Sequence, residues 1–194
     1  MTAAAVFDAL GTLFDLGRAG DSAELARTLH HATSLTLVDE FAPLAHLARS
    51  VDEKLPERLS DVDPYEDADE ALRTLGAAGV DAYVLTNGTA ADTRELLREG
   101  DLLARVADVF SVEDVRRYKP DAAPYAHAAR AIGRPPSELA FVSAHEWDVL
   151  GAAKAGYQVV WVDRRGGEWS LPTAPPELRA SDLVEAARLI LATR

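Results

Sequence analysis

From Asp63 onward the chain alternates short apolar strands with single amphipathic helices, a rhythm that few architectures accept. The pattern predicts strands at 81–85, 108–111, 139–143 and 158–162, with an earlier strand at 3–7. Helices are predicted at 66–76, 90–100, 121–132 and 147–155, and a last one, capped by Ser181, runs to Ala192. Gly100 and Gly156 close two of these helices, Asp121 caps another, and Pro64 and Pro124 stand near first turns, where a missing N–H costs nothing. Strands joined by single helices give a parallel sheet with helices on both faces. The fold class expected is α/β, a doubly wound parallel sheet of Rossmann type.

One stretch departs from that rhythm. Leu25, Leu29 and Ala32 fall at helical spacing, and Phe41, Leu44, Ala45, Leu47 and Ala48 form a second amphipathic segment. Residues 16–60 are therefore expected to form a small helical cap inserted after the first strand. Residues 1–15 and 61–194 would make the core. A chain of 194 residues suits one core with a modest insertion.

The formal net charge of −12 disfavours nucleic acid and anionic membranes as partners, and any anionic substrate must be captured by local positive groups. With no cysteine, disulfides and thiol chemistry are excluded. The start MTAAAVFDAL has no basic region, and no apolar run approaches the about 18 residues of a membrane span. A cytoplasmic location is expected.

The first strand delivers Asp8 at its C-terminal end, and Gly11 and Thr12 then break the pattern. A carboxylate there points into the crevice where ligands of such sheets bind. Three further strand ends or loops carry polar groups: Thr86-Asn87-Gly88, Tyr118-Lys119-Pro120, and Ser143-Ala144-His145-Glu146-Trp147-Asp148. Each alone is a weak signal. Four in this order, each placed where the topology sets an active-site loop, point to one catalytic crevice.

That order resembles the haloacid dehalogenase superfamily over essentially the whole chain. FDALGTLFD, LTNG, YKP followed by Tyr125, and FVSAHEWD-x-x-GA look like the motifs of its L-2-haloacid dehalogenase branch. The resemblance implies Asp8 as the nucleophile that forms an ester with substrate carbon, and Thr12 as the residue that orients it. Lys119 would pair with the Asp8 carboxylate and stabilise its charge. Thr86 and Asn87 would contact substrate carboxylate and departing halide. Tyr125, Ser143, Leu10 and His145 would complete the lining, and Asp148 would position or deprotonate the water that hydrolyses the ester. The branch carries Tyr at the position of Leu10 and Asn at that of His145. It also has a fuller cap, whose arginine binds substrate; Arg27 is the candidate here, with Arg18 and Arg49 as rivals.

Phosphatases of the superfamily read Asp-x-Asp-Gly-Thr and hold Mg²⁺ with the first Asp, a backbone carbonyl two residues on and acids of the last motif. Here Leu10 replaces the second Asp, and Ala144 stands where the first of those later acids would be. Displacement at carbon needs a carboxylate nucleophile and donors for the halide, but no proton for the leaving group. No metal ligands and no cofactor are expected, unless the chain is a Mg²⁺-dependent phosphatase. A third reading is a weakly catalytic relative that uses the pocket for binding. The partners expected are a small anionic organic substrate and, through an apolar lid face, a second copy in a homodimer.

Overall fold

The computed structural model describes residues 2–20 and 22–193, with the backbone alone for Arg18. Six parallel strands form one sheet: β1 (Ala4–Phe7), β2 (Asp81–Thr86), β3 (Asp108–Ser111), β4 (Leu139–Ser143), β5 (Gln158–Val162) and β6 (Leu178–Ala180), in the order β3-β2-β1-β4-β5-β6. From β1 the chain moves outward through β2 and β3, then returns to build β4, β5 and β6 on the other side. The C-terminal end of β1 is therefore the switch point, where the flanking connections diverge and leave a crevice.

The sheet is buried on both faces because its strands are apolar at every step rather than at alternate ones. Ala5 and Phe7 of β1 join Val84 and Val142 against one helix layer, whereas Ala4 and Val6 join Leu85 and Phe141 against the other. The first layer is α4 (Ala68–Ala77), α5 (Ala90–Glu99) and α8 (Leu183–Ala192); the second is α6 (Ala122–Ile132) and α7 (Glu146–Lys154). Leu72 and Leu75 of α4 are wholly buried, each contributing about 1.5–3 kcal/mol.

Two corrections concern short pieces. The strand β6 was not expected, since three residues at a sheet edge carry almost no periodicity. The last helix is capped by Asp182, whose side chain accepts from Glu185 N; the hydroxyl of Ser181 instead donates to the Glu185 carboxylate. Among the described residues no helix is long and apolar enough to cross a membrane.

Between Phe14 and Pro64 lie α1 (Ser22–Leu37), α2 (Leu44–Val51) and a five-residue α3 (Leu55–Leu59) that the amphipathic pattern did not reveal. This segment packs on the loop before α6: Ala32 and Leu47 form a small core with Val112 and Tyr118. Tyr118 is the fastener. Its ring stacks on Phe41, its backbone N–H donates to Thr36 Oγ1 at 3.1 Å, and its hydroxyl donates to the Ala42 carbonyl at 2.7 Å. Tyr118→Phe is expected to lower stability by about 1 kcal/mol, read as a lower urea midpoint at unchanged slope. An unchanged midpoint would mean that this bond does not fasten the segment.

Candidate active site

Asp8 follows the last residue of β1 and keeps its N–H in the ladder, donating to the Val142 carbonyl at 3.0 Å. The next residues coil tightly on Ala9, whose carbonyl accepts from Thr12, Leu13 and Phe14. The turn needs Gly11 at φ +86°, a backbone region that disfavours residues with a Cβ. It aims Thr12 Oγ1 back at Asp8 Oδ2, 2.8 Å away, while the same oxygen accepts from Ala144 N at 3.0 Å. The β1 and β4 loops are thus joined through one hydroxyl.

Lys119 lies at the centre, with no exposed surface. Its ammonium donates to Asp8 Oδ1 at 2.7 Å, to Asp148 Oδ2 at 2.7 Å and to the Leu85 carbonyl at 3.0 Å. Those three bonds use all its protons. Burial pulls the ammonium's pKa down, but Asp148 and then Asp8 outweigh it and hold it above the ordinary lysine value. Asp148, also wholly buried, sits above the ordinary carboxylate range because burial, with repulsion from Asp8, exceeds the opposing pull of Lys119. Its second oxygen accepts from Tyr125 Oη at 2.5 Å. Burial and then Asp148 push the Tyr125 phenol far above its usual value, so it remains a neutral donor.

The helix that presents Asp148 can approach this closely because of Gly151. A Cβ there would stand 2.6 Å from Tyr125 Oη and 2.7 Å from Pro120 Cβ. That is the physical reason for the glycine at position 151 of the last motif.

The other expected site residues distribute as follows. Asn87 Oδ1 accepts from the backbone N–H of Lys119 at 3.1 Å, leaving its amide N–H groups as donors. Thr86 Oγ1 accepts from Gly88 N at 3.0 Å. His145 Nε2 meets the Leu10 carbonyl at 2.9 Å and stands 3.7 Å from Asp8 Oδ2. Leu10 is partly buried. Three expectations change. Tyr125 was expected in the pocket lining but stands behind Asp148, its hydroxyl spent there. Ser143 is wholly buried and accepts from His145 N at the start of α7. Arg27, like Arg49, is exposed, and no hydrogen bond or ion pair among the described residues ties it to Asp8 or Lys119. Helical periodicity alone does not tell which side of a lid faces the crevice. The side chain of Arg18 lies outside the described residues.

Arg164 is a residue that the sequence pattern did not single out. It donates to both oxygens of Asp67 at 3.0 Å, lies over the Tyr65 ring at 3.7 Å and reaches the Thr12 carbonyl at 3.4 Å. It thereby braces the Asp8 loop from outside. A groove of about 580 Å³ opens beside it, lined by Asp15, Asp63, Tyr65 and Arg164 but by neither Asp8 nor Lys119. The convergent charges lie in the covered crevice, where Asp8 is only 4% exposed.

Residues 21–156 match the family model described as haloacid dehalogenase-like hydrolase. The chain is 31% identical over 150 residues to an (S)-2-haloacid dehalogenase of Pseudomonas fluorescens, covering 75% of this chain and 66% of that protein. It is 29% identical over 218 residues to (S)-2-haloacid dehalogenase 1 of Pseudomonas sp. (strain CBS-3), covering 97% and 96%. A crystal structure of a dehalogenase with intermediate complex superposes with a TM-score of 0.88 at 29% identity, covering 97% of this chain and 96% of that one.

Proposed function

Because this chain belongs to the haloacid dehalogenase-like hydrolases, we propose that it hydrolyses the carbon–halogen bond of a small 2-haloacid through an ester on Asp8. The observation that carries the reading is the buried Asp8–Lys119–Asp148 set, in which a carboxylate is held by an ammonium with no acid at position 10 to protonate a leaving group. An oxygen of Asp8 attacks C2 from the side opposite the halogen. The carbon–halogen bond breaks with inversion, and the halide departs with the bonding pair. Water then adds to the ester carbonyl carbon, and the 2-hydroxy acid leaves with one of the water's protons. The second proton goes to solvent as Asp8 regains its charge.

The chain's own groups divide this work. Thr12 orients Asp8, and Lys119 offsets its charge. Thr86 and the Asn87 amide donate to the halide or substrate carboxylate as charge develops. Asp148 has both oxygens engaged, so it acts chiefly by holding Lys119 against Asp8. Residues 16–60 serve as a reduced cap over the core of 1–15 and 61–194, limiting water access to the crevice.

These residues do not suit a divalent ion. The Leu10 carbonyl is taken by His145, and the facing oxygens of Asp8 and Asp148 share the Lys119 ammonium. No cofactor is therefore proposed. Halide release from 2-chloropropionate is expected to persist unchanged in excess chelator and to gain nothing from Mg²⁺. Phosphate release from p-nitrophenyl phosphate, measured in parallel, should stay at background. Strong Mg²⁺ dependence, or phosphate release without halide release, would replace the dehalogenase with a phosphatase.

A further inference from the structure

The proton count at Lys119 leaves a gap. All three of its protons are bound within the protein, so it has none for the substrate. A 2-haloacid nonetheless brings its own carboxylate beside the carboxylate of Asp8, and the chain as a whole carries −12. Arg27 and Arg49 are exposed, and no hydrogen bond or ion pair among the described residues joins either to Asp8 or Lys119.

His145 is placed to fill the gap. Among the described residues, it and Lys119 are the side chains capable of positive charge within 4.0 Å of an Asp8 oxygen. A carbonyl oxygen only accepts, so the 2.9 Å contact with Leu10 O sets the hydrogen on Nε2 whatever the charge of the ring. The other ring nitrogen, Nδ1, has no hydrogen-bond partner among the described residues and is the one left to meet a ligand. The seat is shaped for an imidazole. Its ring stacks on Trp147 at 5.2 Å and 18°, and a Cβ on Gly11 would stand 2.6 Å from Nε2. The side chain remains 31% exposed, so it borders the opening rather than the core.

We infer that His145, as imidazolium, captures the carboxylate of the substrate at the mouth of the crevice. It thereby takes the part for which sequence reading nominated Arg27. This inference rests on the dehalogenase reading for its substrate, though not for its test. The charged group beside the ring is Asp8, with Lys119 behind it; the first turn of α7, which follows His145, also carries the buried Asp148, held by Lys119, and Glu146, whose carboxylate is engaged by Ser170. All three carboxylates are thus already partnered.

Propionate, which has the carboxylate but no halogen, is the probe, and its binding is read by calorimetry between pH 6 and pH 8.5. Histidine is the side chain whose charge depends on pH in this range, so wild-type affinity is expected to fall about tenfold or more across it. His145→Asn keeps a donor but cannot titrate; it is expected to bind propionate weakly and with no pH dependence. For 2-chloropropionate the same variant should raise KM about tenfold with kcat changed less than threefold. Wild-type propionate binding that does not vary with pH would overturn the inference whatever the variant does. So would a His145→Asn protein that keeps the wild-type pH profile. If halide release is absent but propionate binding titrates through His145, the dehalogenase reading fails and the anion site stands.

Discussion

Asp8→Asn is expected to reduce halide release from 2-chloropropionate by at least about a thousandfold, the scale of losing an enzyme's nucleophile. The amide has nearly the shape of the carboxylate but no anionic oxygen to attack carbon. Its oxygen can still face Lys119, its nitrogen can face Thr12, and Lys119 keeps its bond to Asp148. Removing one of two buried carboxylates also relieves their mutual repulsion, which burdens Asp148. The urea midpoint should therefore hold or rise while activity disappears. A complementary check is a single turnover of the wild-type enzyme in ¹⁸O-labelled water. Because water attacks the ester carbonyl, label should enter Asp8 and not the first product molecule. Label found directly in the hydroxy acid would mean that water attacks the substrate carbon, and the ester mechanism would be wrong.

Lys119→Met should have the largest effect on stability. The variant leaves Asp8 and Asp148 facing each other, nearly or wholly buried, without their shared ammonium. Breaking a buried ion pair by removing one partner costs about 3–5 kcal/mol, a large part of the about 5–15 kcal/mol that holds a domain folded. The pH dependence has a definite sign. Burial already raises the Asp148 pKa, and Lys119 is the main force opposing it, so in the variant this carboxyl moves further up. A folded state that holds a proton longer than the unfolded chain is favoured at low pH. The contribution of Asp148 to the variant's stability should thus be fully present below the unfolded carboxylate value, about 3.9, and be lost as pH rises through the folded one. Adding Asp148→Asn should recover part of the loss without restoring turnover, since the two residues act as a coupled pair. A Lys119→Met protein with the parental midpoint at pH 8 would show that the ammonium is not what makes two buried carboxylates tolerable.

Much of the fold was legible because parallel strands buried on both faces must be apolar throughout. The runs at 108–111, 139–143 and 158–162 coincide with β3, β4 and β5. Where a piece was too short to show a period, as in α3 and β6, nothing in the local pattern announced it. The end of the first strand and the order of the polar loops were legible for the same reason: a strand's end and the turn residues after it are local features.

What each polar atom touches was not local. Lys119 finds its partners 111, 34 and 29 positions away, and His145 meets a carbonyl 135 positions away. By itself the sequence determined five of the sheet's six strands, the helices on both its faces and the loops that carry Asp8, Thr86, Lys119 and Asp148. Only the tertiary structure decided that Lys119 has no proton to spare, that Tyr125 serves Asp148 rather than the crevice, and that His145 rather than Arg27 stands beside the nucleophile. Apolar periodicity follows from neighbours along the chain. A proton has one donor and a buried carboxylate few open lone pairs, and these are allotted only when distant segments meet.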